Sequence, residues 1–96
     1  MQDISGQVIG SSGRIYVLNF GVNAMCRLEA ITGRPYYDVM REVVGGEPRM
    51  ETARHLMQAV LTDPATPSPE EAGNVLDDIG GIAALLAART PDVGHG

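Results

Sequence analysis

The residues in this sequence whose types could do chemistry are one cysteine, two histidines and a pair of adjacent aspartates. Cys26 with His55 would suit a nucleophile and its general base. Both residues, however, lie inside helical patterns, and neither precedes a glycine-rich loop that would bind an oxyanion. His95 lies near the end of the chain, and two histidines with one cysteine match no familiar zinc spacing. We therefore predict a buried structural Cys26, a partly exposed His55, and no catalytic residue, metal or cofactor.

The two aspartates, Asp77 and Asp78, precede the glycine pair Gly80-Gly81 and raise the question of a cation-binding loop. An EF-hand loop needs acidic or amide ligands at alternate positions and a glutamate at the twelfth, which this stretch does not have. The solvated end of a helix is the better interpretation. Two carboxylates in a last turn oppose the helix dipole. We therefore expect an arginine near them, from this chain or from a partner.

Composition and charge limit the class of protein. The 96 residues are 44% hydrophobic, which predicts a single domain spanning residues 1–96. The net charge is −5 and every basic residue is an arginine, which argues against nucleic acid as a partner and against a helix-turn-helix reader of DNA. No apolar run approaches 18 residues, and the start of the chain does not resemble a secretory signal. One cysteine suits a reducing compartment, so we expect a cytoplasmic protein without a membrane segment.

The first third of the chain is predicted to form a β-hairpin followed by a helix. Val8 and Ile9 precede a turn-type cluster at residues 10–13, and residues 14–20 alternate β-branched and aromatic side chains. Residues 1–13 are thus either weakly ordered or the first strand. Asn19 is the predicted cap of the first helix, and Gly33 its end. The apolar stripe of this helix contains Ala24, Met25, Leu28 and Ile31.

Further helices follow at regular intervals. Pro35 and Pro48 open the second and third, and glycines at 45 and 46 separate them. The apolar stripe of the second contains Tyr36, Val39, Met40, Val43 and Val44, and that of the third contains Met50, Ala53, Leu56, Met57, Val60 and Leu61.

After a loop at residues 63–67, a capping box made by Ser68 and Glu71, with Pro69 between them, starts the fourth helix. Its inward face is predicted to hold Ala72, Val75, Leu76 and Ile79. A short fifth helix is predicted from Ile82 to Arg89, and a frayed tail over residues 91–96. The sequence therefore predicts a mainly α protein, in which four to five short helices form a compact bundle with an N-terminal β-hairpin or strand.

Four methionines lie on these helical stripes: Met25, Met40, Met50 and Met57. Filling the core is their default role. The alternative is an adaptable apolar groove, because methionine can repack around varied ligands.

Most of the chain, about residues 14–88, resembles a family of small phage and gene transfer agent proteins described as tail assembly chaperones or minor tail proteins. The resemblance begins in the run RIYVLNFGVNAMCRLEAITGRPYYDVM, with its alternating strand, its Phe20 and a helix that carries Leu28-Glu29 and ends at Gly33. It continues with the apolar stripe within residues 54–61 and with the Ser/Thr-x-Glu-Glu start of a helix that is followed by a glycine. In this chain that start is Ser68, Glu70 and Glu71, and the glycine is Gly80.

The resemblance implies a protein that acts by binding and catalyses no reaction. Such a protein is encoded beside the tail tube and tape-measure genes, and it binds the tape-measure protein, the tail tube protein or both while the tail is built. The partner-binding residues that we predict are Glu29, Met25, Met40, Met57, Asp77 and Asp78. Two alternatives remain open: a permanent structural subunit of the tail or neck, and a small acidic regulator that sequesters a basic protein.

Glu29 is the residue of the first helix that packing does not explain. If it is exposed and unpaired, it belongs to a surface for a partner. If it pairs with an arginine such as Arg14 or Arg41, it orients the helix instead.

Overall fold

A computed structural model describes residues 5–63, 65 and 67–89 of the chain. Residues 1–4 and the predicted tail at 91–96 lie outside this description. The elements in chain order are β1 (Ser5–Ile9), β2 (Ile15–Asn19), α1 (Val22–Thr32), α2 (Tyr36–Val44), α3 (Met50–Val60), β3 (Leu61–Asp63), α4 (Pro69–Ile79) and α5 (Ile82–Arg89). The predicted mainly α class is confirmed. The described part of the chain adds a small sheet of three strands, so the helices do not form a bundle with a hairpin alone.

The sheet is antiparallel and has the strand order β1-β2-β3. The predicted hairpin is confirmed, with Val8 opposite Tyr16 across the two strands. The third strand was not predicted, because Leu61 was assigned to the stripe of a helix and Asp63 to a loop. A strand of three residues has too little sequence pattern to detect. The strand is formed by its pairing with β2, and the Thr62 hydroxyl also donates a hydrogen bond to the Val17 carbonyl at 3.0 Å.

The core is built around α3, which packs against both α1 and α4. Leu56, Met57 and Val60 of α3 have no exposed surface. The second strand completes the core with one of its two faces, which carries Tyr16 and Leu18. Burying these apolar side chains is the main driving force that holds the short helices together. None of the helices in the described residues is long and apolar enough to cross a membrane.

The side chains of the predicted apolar stripes are buried in the middle of each helix, whereas those at the helix ends are exposed. Ile31, Val44 and Met50 are 38%, 57% and 71% exposed, although each continues a helical apolar pattern. Each lies at or within one residue of a helix end. A side chain at a helix end extends beyond the element that packs against the helix. Its place in the apolar pattern is therefore not enough to bury it.

The start of α1 also differs from the prediction. Gly21 occupies the capping position, and it makes no side-chain capping bond. Asn19 is the last residue of β2, and its side-chain oxygen accepts the Gly21 N–H at 2.7 Å, two positions on. This asparagine therefore turns the chain between strand and helix and does not cap the helix.

Other helix ends were predicted correctly. Gly33 ends α1 in the left-handed conformation, at φ 70°, and its N–H bonds the Glu29 carbonyl. The capping box of α4 is confirmed, since the Ser68 side chain accepts the Glu71 N–H and the Glu71 carboxylate accepts the Ser68 N–H.

Candidate partner-binding surface

Cys26 and His55 lie on different helices, α1 and α3. Cys26 is exposed, so the prediction of a buried structural cysteine is wrong. It lies two positions from Ala24 and two from Leu28, which places it on the opposite side of α1 from these buried residues. His55 is half-buried on α3, as predicted. The described residues contain no group of three or more histidine, cysteine or acidic side chains that could hold a metal ion.

Glu29 fixes the turn between α1 and α2. Its Oε2 accepts the backbone N–H of Tyr36, the first residue of α2, at 2.9 Å. The bond satisfies an amide that has no partner within the helix and places a negative charge at the positive end of the α2 dipole. Glu29 thus orients a helix, as one of the two sequence alternatives proposed, but through a backbone amide and not through an arginine.

Glu42 joins α2 to α3 in the same way, although no sequence pattern indicates this contact. Its carboxylate accepts the Arg49 N–H and an Arg34 guanidinium N–H, both at 2.9 Å. These donors hold the pKa of Glu42 at about 2, well below its usual 4.5, with the Arg49 amide as the largest cause and the Arg34 side chain next. The two donors lie eight and seven positions away along the chain, a separation that no local motif marks.

Asp78 holds the end of α4 against the hairpin turn. Its carboxylate accepts the Ser12 N–H at 2.9 Å, the Ser12 hydroxyl at 2.6 Å and the Tyr16 hydroxyl at 2.7 Å. Its backbone carbonyl accepts both the N–H and the hydroxyl of Ser11, each at 2.8 Å. Gly10 permits this approach, since a Cβ there would overlap the Asp78 carboxylate. We call Asp78, Ser11, Ser12 and Tyr16 the Asp78 latch.

The electrostatics of the Asp78 latch follow from these bonds. The Ser12 and Tyr16 donors lower the pKa of Asp78, with the Ser12 hydroxyl as the largest cause. Conversely, the bond to Asp78 raises the pKa of the buried Tyr16 hydroxyl. The arginine expected near the acidic pair is Arg14, whose guanidinium lies 5.5 Å from the centre of the Tyr16 ring and contributes a smaller lowering of the Asp78 pKa. Asp77 is exposed.

Three large apolar side chains of α2 are exposed on its outer side. Tyr36, Tyr37 and Val44 are 41%, 67% and 57% exposed. A shallow cavity of about 380 Å³ is lined by Tyr37, Met40, Arg41 and Val44. We call Tyr36, Tyr37, Met40, Arg41 and Val44 the α2 face.

Ring and charge contacts order the side chains of the α2 face. The rings of Tyr36 and Tyr37 lie 5.9 Å apart, and the Arg41 guanidinium lies 5.9 Å from the centre of the Tyr37 ring. Arg41 also approaches the Asp38 carboxylate at 3.9 Å, with both side chains largely exposed. Tyrosine, methionine and arginine are the residue types that concentrate in protein interfaces. The arrangement can therefore bind an apolar surface.

Of the six predicted partner-binding residues, the α2 face contains one, Met40. The others are dispersed: Met57 is fully buried, Met25 is partly buried against the core, and Glu29 and Asp78 bind within the chain. The sequence reasoning missed the tyrosines of α2 as surface residues. The available signal was that the apolar residues of YYDVMREVV form one stripe that is wider than its buried residues, Val39, Met40 and Val43, require.

No family model, curated protein or solved structure matches this chain.

Proposed function

We propose that this protein is a tail assembly chaperone of a phage or gene transfer agent, which binds the tape-measure protein, the tail tube protein or both through the α2 face. The observation that carries the proposal is the apolar outer side of α2, where Tyr36, Tyr37 and Val44 are exposed beside a shallow cavity. The resemblance of residues 14–88 to the chaperone family supplies the identity of the partner.

The shape of the α2 face suits a helical segment. Its side chains follow the helical spacing from Tyr37 through Met40 and Arg41 to Val44, so they form a strip along α2. Helices bind such strips by laying an apolar stripe with the same spacing against them. The family resemblance implies a largely helical and aggregation-prone tape-measure protein, whose apolar stripes need cover before the tail assembles.

Two carboxylates hold α2 in place before a partner binds. Glu29 fixes the N-terminus of the helix, and Glu42 ties it to the start of α3. A surface that is already held in place loses less conformational entropy when a partner binds, and affinity rises accordingly. The proposed activity is therefore a binding activity, in which the side chains of α2 exclude water from an apolar stripe of the partner.

Co-expression with the tape-measure protein of the same gene cluster tests this proposal. We expect the tape-measure protein to co-elute with the wild-type chain. Tyr37→Ser should reduce the captured amount by about tenfold or more, because tyrosines at the centre of interfaces carry much of the binding energy. Ile15→Ser is the control, since Ile15 is 55% exposed on the sheet and lies outside the α2 face. A wild-type chain that never retains the tape-measure protein would overturn the proposal.

Mass spectrometry of purified particles separates the chaperone from a permanent structural subunit. A chaperone leaves before the particle is complete, so its peptides should be absent from particles that contain the tape-measure protein. Peptides of this chain in a fixed ratio to known tail proteins would assign it to the tail instead.

A further inference from the structure

The α2 face also has the features of a surface that pairs with a copy of itself. We propose that two copies of the chain dimerise by packing their α2 helices antiparallel about a two-fold axis. This inference concerns the protein alone and does not depend on the proposed function.

The first observation is that the apolar stripe of α2 is wider than the part of it that the chain buries. Val39 and Val43 are buried against the rest of the chain, while Tyr37 and Val44 point outward and are 67% and 57% exposed. An apolar stripe that extends into solvent is typical of a helix that a second surface covers. An interface between two copies of the chain supplies that second surface.

The second observation is the charge pattern beside this strip, which is complementary to itself. Asp38 and Arg41 lie one helical turn apart, and their side chains are 51% and 73% exposed. Their separation of 3.9 Å within the chain is too long for a good hydrogen bond. A two-fold axis between antiparallel helices reverses their order, so each Arg41 meets the Asp38 of the other copy, and the same two residues form two ion pairs.

The remaining charge of α2 does not oppose this arrangement. Glu42 is bound by Arg34 and by the Arg49 N–H, so its carboxylate is already neutralised within the chain. The contact is small, however, because one helix of nine residues provides it. Interfaces of this size are weak, so we expect a dimer that forms at micromolar concentrations and dissociates on dilution.

Sedimentation equilibrium of the purified protein tests for the dimer. The mass should rise from that of one chain, 10.2 kDa, towards twice that value as the concentration increases. Val44→Ser should raise the dissociation constant about tenfold, because it removes apolar area from the interface. Val22→Ser is the matched control, since Val22 is also an exposed helical valine, at 78%, and lies on α1. A wild-type chain that remains monomeric up to millimolar concentration would overturn the proposal.

A charge exchange tests the pairing between copies directly. Asp38→Arg and Arg41→Asp should each give a monomer, because each places like charges opposite one another. A one-to-one mixture of the two variants should dimerise, since every introduced charge then meets its opposite on the other chain. Circular dichroism of each variant shows that it is folded. A dimeric wild type combined with a monomeric mixture would refute the antiparallel α2 arrangement.

The outcomes also separate this proposal from the proposed function. A chain that is monomeric alone but loses the tape-measure protein on Tyr37→Ser assigns the α2 face to the partner and refutes self-pairing. A chain that dimerises as described but never captures the tape-measure protein supports self-pairing and counts against the chaperone.

Discussion

The polar side chains of the Asp78 latch and those beside the α2 face have opposite environments. In the Asp78 latch, one carboxylate accepts three hydrogen bonds, one of them from a tyrosine that is only 3% exposed. On α2, the charged pair Asp38 and Arg41 remains in solvent beside exposed apolar side chains. The first region is satisfied within the chain, whereas the second gains most from contact with another molecule.

These bonds change the interpretation of the net charge of −5. A strongly acidic composition suggests a solvated surface or an electrostatic partner site. Here several carboxylates accept backbone amides within the chain: Glu29, Glu42 and Asp78 join one element to the next, and Glu71 caps its own helix. Acidic residues with such bonds are poor candidates for partner contacts, because binding elsewhere would leave the amides unpaired.

The largest expected effect contrasts the core with the α2 face. Met57→Ala should lower the free energy of unfolding by about 2–5 kcal/mol, because it opens a cavity among fully packed neighbours. Met57 has no exposed surface, whereas Met40 is 6% exposed in the same core and also lines the shallow cavity beside α2. Met40→Ala should therefore cost less than about 2 kcal/mol, since water and neighbouring side chains can fill the space. Urea unfolding of both variants measures the difference, and equal losses would show that the cavity beside α2 does not reduce the cost of truncating Met40.

A smaller effect is expected at the end of α4. Asp78→Ala should lower the midpoint of urea unfolding, because it leaves the buried Tyr16 hydroxyl and the Ser12 N–H without their acceptor. Asp77→Ala is the matched control at the adjacent, exposed position. It should leave the midpoint unchanged or raise it slightly, because it removes a negative charge from the negative end of the helix dipole. Equal effects at the two positions would show that the Asp78 latch adds no stability.

The same contrast explains what the sequence could predict. The capping box at Ser68 and the glycine end at Gly33 are local, so residue types at fixed spacing identify them. The bonds of the Glu42 and Asp78 carboxylates join residues seven to 66 positions apart, and no local pattern marks them. The α2 face was missed because the sequence shows the full width of an apolar stripe but not how much of that stripe is buried. Exposure depends on what else packs there, which only the fold decides.

A third effect is the acid sensitivity of the α2–α3 junction. The folded pKa of Glu42 is about 2, below its usual 4.5, so the unfolded chain takes up the proton more readily. Its stabilising contribution is therefore complete above about pH 5 and is lost as the pH falls towards 2. Asp78, whose pKa is also lowered, adds a loss of the same sign. Urea midpoints measured between pH 7 and pH 2 should fall less steeply in Glu42→Gln than in the wild type. Parallel pH profiles would contradict the assigned role of Glu42.

The smallest expected effect compares two helix starts. One is capped by a side chain of its own helix, and the other is bound by a side chain of the neighbouring helix. Ser68→Ala should lower the free energy of unfolding by about 1 kcal/mol, because the Glu71 N–H loses its acceptor within α4. Glu29→Gln should have a smaller effect on α2, since the amide oxygen can still accept the Tyr36 N–H but carries no charge for the helix dipole. Hydrogen exchange at these two amides locates each change: faster exchange at Glu71 in the first variant and at Tyr36 in the second. If Ser68→Ala instead accelerates exchange across the whole chain equally, the start of α4 unfolds only together with the core, and its capping box is part of one cooperative unit.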